Sequence, residues 1–187
     1  IRTITLSHVY SLSSLPTDRN IADTRNYSRH YRQRLRAEVL LDAISDITGA
    51  TDNFERMPDG SRSMQIWSHR VNSTFLDTFG RPNENQDPPC ERTPDTTVTQ
   101  ALHLMNSPRV YAKITSDKGL AAQLAKSDRS PDAIIEELYL TVYNRYPRDA
   151  ESDFARSLYA GDSTDRRRAT ESLLWSMLNT PEFIFKD

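Results

Sequence analysis

The chain has 187 residues and a mass of 21.5 kDa, the size of one ordinary domain. Only 36% of its residues are hydrophobic and the mean hydropathy is -0.69, so a lean core beneath a thick polar shell is expected. Twenty-four basic residues face 26 acidic ones for a net charge of -2, which leaves no global field to hold nucleic acid or an anionic membrane.

Residues 1–15 read as the tail of a helix, with Ile4, Val9, Leu12 and Leu15 at loosely helical spacing and Pro16 as the stop. Residues 16–34 are polar and read as an ordered loop. A helix is expected over 35–48, where Leu35, Val39, Leu40, Ile44 and Ile47 form one apolar stripe that Gly49 closes. Residues 50–63 are turn-rich, and the alternation in Met64-Gln-Ile-Trp67 predicts a short strand or extended segment. A short helix follows over 71–79, stopped by Gly80. Residues 81–96 hold Pro82, Pro88, Pro89 and Pro94, too many for regular structure, so a long irregular loop is expected there.

The C-terminal half is helical by pattern, with segments over 96–105, 116–125, 133–145, 149–159 and 164–179. Ser130-Pro131-Asp132 is an N-cap followed by proline at the first helical position, and Pro181 ends the last helix. Short connections between these segments argue an antiparallel packing. The fold class is therefore mainly α, an irregular assembly of about six to eight helices with long ordered loops and at most one or two short strands. No stretch approaches the roughly 18 apolar residues of a membrane helix, so no membrane insertion is expected. Ile1 is not an initiator Met, and no basic-then-apolar signal opens the chain.

The residues that carry chemistry are sparse. His8, His30, His69 and His103 share no metal-ligand spacing, and Cys90 is the lone cysteine, so no metal site is expected. No Cys-x-x-Cys-His occurs, so no haem is carried by this segment itself. With 5 glycines and no phosphate loop, nucleotide chemistry is unsupported, and no residue is assigned a catalytic role. Glu38, Asp42 and Asp46 recur at four-residue spacing, which suits an acid/base pair or, more simply, a solvated face or partners for nearby arginines. Lys occurs only at 113, 118, 126 and 186, so 20 of the 24 basic residues are Arg. Six of these, Arg19, Arg25, Arg29, Arg32, Arg34 and Arg36, stand against Asp23 alone, with Tyr27, His30 and Tyr31 interleaved. Arginine beside aromatics can grip an anion or a partner in its planar fork, or tie the loop to the protein's own acids and carbonyls. Arg29, Tyr31, Arg34, Arg36, Glu38 and Asp42 are thus the candidate anion- or partner-binding residues. Arg166-Arg-Arg168 opens the last helix, where the dipole disfavours cations, and reads as a solvated face with Glu171 as an offset.

Several phrases in order resemble one family: Tyr10-Ser-Leu-Ser-Ser14, Asn26-Tyr-Ser-Arg-His-Tyr31, Arg34-Leu-Arg-Ala-Glu-Val-Leu-Leu-Asp-Ala43, Phe75-Leu-Asp-Thr-Phe-Gly-Arg-Pro82 and Cys90-Glu-Arg92. Gln100-Ala-Leu-His-Leu-Met-Asn-Ser107, Glu137-Leu-Tyr-Leu-Thr-Val-Tyr-Asn-Arg-Tyr-Pro147 and Leu173-Leu-Trp-Ser-Met-Leu-Asn-Thr-Pro-Glu-Phe-Ile-Phe185 continue the series. The chain resembles the uncharacterised planctomycete-specific domain found at the C-terminal end of large proteins with a cytochrome-c-like domain. The resemblance implies that this is the C-terminal two thirds of one helical domain, 1–187, with further helices upstream that pack on residues 1–15. It implies an exported parent protein, hence the periplasm or the cell surface. The implied partners are the upstream segment, other domains of the parent and a cytochrome-c-like domain, with haem in that neighbour and no cofactor in this chain. Where the family often has Cys-x-Cys-Glu-Arg, this chain has Pro88 in place of the first cysteine. Cys90, Glu91 and Arg92 are therefore read as a loop-locking candidate. Two roles follow: an interaction or scaffold domain of that parent, or part of a protein acting on acidic or sulfated glycans through the Arg29–Arg36 cluster with Glu38 or Asp42.

Overall fold

Among the described residues, side-chain caps open six of the helices: Ser73, Thr97, Ser107, Ser130, Asp165 and Thr180 each accept an N–H of the first turn. The computed structural model describes residues 1–23, 25–68, 70–82, 97–160 and 165–186. Helix α1 is Arg2–Thr5, strand β1 is Gln33–Arg34, and helix α2 is Ala37–Thr48, which ends on Gly49 at a φ of 69°. In α3, Thr74–Thr78, the Ser73 hydroxyl accepts the Leu76 N–H, and Gly80 follows at a φ of 80°. Helix α4, Val98–Asn106, carries a reciprocal box between Thr97 and Gln100. Ser107 then caps α5, Pro108–Ile114, and α6 is Leu120–Lys126. Ser130 caps α7, Pro131–Tyr143, which closes on left-handed Asn144. Helices α8, Asp149–Ser157, α9, Arg166–Leu178, and α10, Pro181–Ile184, lead into strand β2, Phe185–Lys186.

The result is the mainly helical assembly expected, with one two-stranded antiparallel ladder among the described residues, Gln33 opposite Lys186 and Arg34 opposite Phe185. Helix α2 is the hub: it packs against α3, α5 and α6 and carries Leu40, Leu41 and Ile44 fully out of water. Helix α9 runs along α6 and also meets α5 and α7, contributing Leu173, Leu174 and Leu178. Helix α7 adds Ile134, Ile135 and Leu138, with α8 and α10 against it. Among the described residues, no helix is long and apolar enough to cross a membrane.

Four local expectations are corrected. Residues 1–15 are not a continuous helix: after the single turn of α1, Ser7 and Ser11 hydroxyls bond back to the Ile4 and His8 carbonyls, and no side chain there is buried. A four-residue helix without a packed face cannot offset its nucleation cost and does not propagate. Residues 64–67 are not a strand; Ser63–Gln65 forms a 3-10 turn. Helix α5 was not anticipated, although Ser107-Pro108 is the same N-cap and proline signal that marks α7. Pro181 does not merely end a helix but opens α10 as its first residue. The proline-rich loop lies largely outside the described residues, at 83–96.

Candidate functional site

The arginine-rich stretch ahead of α2 is held by rings and carbonyls. The Arg29 guanidinium sits 5.0 Å from the Tyr31 ring centroid, and Tyr27 tilts against Tyr31 at 6.4 Å. Arg29 Nε and Tyr31 Oη are both buried without a hydrogen-bond partner. Arg34 crosses to α3: one Nη donates to the Phe79 carbonyl at 2.9 Å, the other to the Leu35 carbonyl at 3.1 Å, and the fork lies 5.5 Å from the Phe79 ring. Burial pulls its pKa below the usual guanidinium range. Arg36 occupies the N-cap position of α2 and is exposed.

The carboxylates of α2 divide: Asp46 is exposed and is a partner for a nearby arginine, as one of the expected readings had it, whereas the other two are out of water. Glu38 and Asp42 are buried, and Asp42 caps the 3-10 turn by accepting the Ser63 N–H at 2.6 Å and the Met64 N–H at 3.2 Å. Those two bonds explain why Ser63–Gln65 turns, with the backbone extended only from Ile66. Arg62 forks onto Asp46 at 3.0 and 2.6 Å and brings its Nε to 3.4 Å from Asp42. Of the six sequence candidates, the structure therefore pairs Arg29 with Tyr31, sends Arg34 to Phe79, and turns Asp42 toward the 3-10 turn. Cys90, Glu91 and Arg92 lie outside the described residues.

Two small cavities flank α2. One, of about 150 Å³, is lined by Glu38, Ser63, Met64, Ile66, Trp67, Ser68, Leu76 and Arg81. The other, of about 100 Å³, lies over Asp42, Ser45, Asp46, Asp52 and Arg62. Beside the second is a charged cluster that sequence reasoning missed. Lys113 of α5 is only 5% exposed and donates to Ser45 Oγ at 3.1 Å and to the Ala50 carbonyl, with Asp52 Oδ2 3.1 Å away. Arg109 donates to the other Asp52 oxygen at 2.7 Å. Desolvation lowers the Lys113 pKa, and the Asp52 carboxylate opposes that shift. The one signal for it was the pair of cations Arg109 and Lys113, four residues apart on α5, which means nothing until α5 is recognised as a helix.

The remaining arginines knit elements together. Arg145 meets Glu151 at 2.8 Å through two nitrogens and Glu182 at 2.7 and 2.8 Å, with Tyr139 and Tyr143 rings 5.5 and 5.3 Å beneath it. Glu151 also caps α8 through the Arg148 N–H at 2.8 Å. The Arg145 fork, aided by that N–H, holds the Glu151 carboxyl down to about 2. The triplet opening α9 is not a solvated face. Arg167 reaches Glu171, Asp117 and the Thr115 carbonyl at 2.7, 2.7 and 2.8 Å, and Arg166 donates to the Ser127 and Arg129 carbonyls; only Arg168 is exposed. His103 meets Phe75 and Phe79 edge-on at 5.8 and 6.1 Å, and burial lowers its pKa. Among the described residues, no group of three or more His, Cys, Asp or Glu side chains is set to hold a metal ion.

This is a helical domain whose elements are tied by forked arginines around a central buried helix. It belongs to the PSD1 family, described as a protein of unknown function (DUF1553), which matches residues 1–159. Helices α9 and α10 lie beyond the matched stretch yet complete the same core. No curated protein and no solved structure matches the chain.

Proposed function

We propose that the chain is a helical interaction module of a larger exported protein, docking onto that protein's other domains, with a cytochrome-c-like domain as the haem-bearing partner. The observation that carries this reading is the apolar content of residues 1–27. Ile4, Leu6, Val9, Tyr10, Leu12, Leu15, Ile21 and Tyr27 are all exposed, while most leucines and isoleucines elsewhere are buried. In a chain this poor in hydrophobic residues, so many apolar side chains left in water on one segment favour an interface. The segment runs directly into the Arg19–Arg36 excess, so the surface it fits is apolar with acidic surroundings.

Hydrogen–deuterium exchange on the intact parent polypeptide and on this chain alone tests the idea. Amides of residues 4–15 are expected to exchange at least ~10-fold more slowly in the parent, a gain of about 1.4 kcal/mol in local protection. Equal exchange in both would remove the docking role.

A further inference from the structure

Helix α4 carries two apolar faces where its place in the fold uses one. Gln100, His103 and Leu104 make the inner face. The Gln100 amide donates to the Thr78 carbonyl at 3.1 Å, His103 meets the rings of Phe75 and Phe79, and Leu104 is buried. On the opposite side Val98, Leu102 and Met105 recur at i, i+4 and i+7 and form a second stripe. These three keep 76%, 54% and 47% of their surface in water, with exposed Ala101 beside them. A helix that is apolar on both sides is ordinarily covered on both. The stripe also lacks charge. Residues 97–108 contain no Asp, Glu, Lys or Arg, in a chain where these make up 27% of the residues, and their one histidine is turned inward.

We propose that this face joins two copies of the chain, with α4 lying antiparallel to α4 across a twofold axis. The spacing of the stripe selects a second copy as the occupant. In a twofold contact, residue i meets residue j and j meets i. An axis passing between Ala101 and Leu102 sets Val98 of each copy against Met105 of the other, small against large at both ends. Leu102 then packs on Ala101 and Leu102 of the other copy, and the small Ala101 lets the helices approach. The missing charge points the same way. Pairing the stripe with itself opposes no like charges, whereas an acidic or basic partner would find no counter-charge on it. Three side chains and an alanine cover only roughly 300 Å² per copy, below the ~800 Å² per partner of a stable complex, so the dimer is weak and concentration-dependent. This contact does not rest on the docking proposed for residues 1–27.

The test is sedimentation velocity of the 187-residue chain from ~5 to ~500 μM, where a monomer–dimer equilibrium with a Kd on the order of 0.1 mM is expected. Leu102→Glu brings two carboxylates together at the axis and should raise that Kd at least ~10-fold, and Leu102→Lys should do the same with two ammonium groups. Mixed in equal amounts, the two variants should pair again at least as well as the unaltered chain, because Glu then meets Lys across the axis. Val98→Glu, further from the axis, should weaken the dimer on its own account. Leu12→Glu, on the exposed N-terminal segment, should leave it unchanged. Circular dichroism verifies that the variants are folded, as their exposed positions lead one to expect. A chain that stays monomeric over the whole range overturns the inference. So does a dimer that Leu102→Glu and Val98→Glu leave intact, or one that Leu12→Glu abolishes. So, too, does a dimer lost in both variants at position 102 and not restored by mixing them, since the stripe would then face a different surface.

Discussion

Lys113 shows how one residue can concentrate the electrostatics of a lean core. It is the one lysine taken out of water, and it is held by Asp52, Ser45 and the Ala50 carbonyl. A buried ion pair is weak evidence of net stability, but breaking one side of it leaves an uncompensated charge. Asp52→Ala is therefore expected to cost about 3–5 kcal/mol in urea unfolding. Lys113→Met on top of it should recover part of that loss, because the stranded ammonium is gone. If the double variant is as unstable as the single one, the coupling is absent. Neither partner was visible in the sequence as a pair, since 61 positions separate them and nothing local marks Asp52.

At the level of elements, what was legible followed the chemistry of the ends. Helix α7, opened by Ser130-Pro131, and helices α2 and α3, stopped at Gly49 and Gly80, lie within a few residues of the ranges the sequence predicts, because capping acts locally, whereas the same Ser-Pro signal at α5 passes unread. The Ser63–Gln65 turn was misread because its cap is Asp42, twenty-one residues away, and period-two alternation over four residues cannot reveal that. The 1–15 segment was read as helical from spacing alone, but spacing builds a helix only where a partner buries the stripe. The connection between α5 and α6 shows a further constraint. Gly119 approaches the end of α2 so closely that an added Cβ would fall 2.9 Å from the Thr48 carbonyl oxygen and 3.1 Å from that of Ser116. Gly119→Ala should destabilise the fold by about 1–3 kcal/mol, read as a lower urea midpoint with an unchanged slope. An unaltered midpoint would mean that α6 can shift away from α2 freely.

For the whole molecule, the excess of arginine over lysine acquires a structural meaning. Arg34 ties β1 to α3, Arg62 ties the 3-10 turn to α2, Arg167 ties α9 to the α5–α6 turn, and Arg156 ties α8 to Asp132 of α7. Each uses a planar fork that lysine lacks. The skew itself is legible in the sequence, and tethering is one of the readings it offers for the 19–36 stretch; Arg167 reads there as part of a solvated face, and the partners cannot be read because they lie far along the chain. Arg145 is the densest of these joints and sets an acid response. The Glu151 carboxyl falls from 4.5 to about 2 in the fold, so its stabilisation is complete above pH 4.5 and is lost as pH falls toward 2. Glu151→Gln should flatten the stability profile across that window. Arg145→Lys, which keeps the charge but not the fork, should cost about 2 kcal/mol in thermal unfolding. An acid profile identical to the parent chain's would contradict this assignment.

The two-residue ladder between β1 and β2 has a mechanical consequence. Because Arg34 pairs with Phe185, and the Leu35 N–H also bonds the Ile184 carbonyl at 2.9 Å, the chain from 35 to 184 is a closed loop. Tension applied between residue 30 and Lys186 therefore meets that short clasp before it can extend the 35–184 loop. The load is shared from the outset with α3, through the Arg34 bond to the Phe79 carbonyl, and with α10, through buried Phe183 beside the ladder, so opening the clasp strains both ends of the helical body at once.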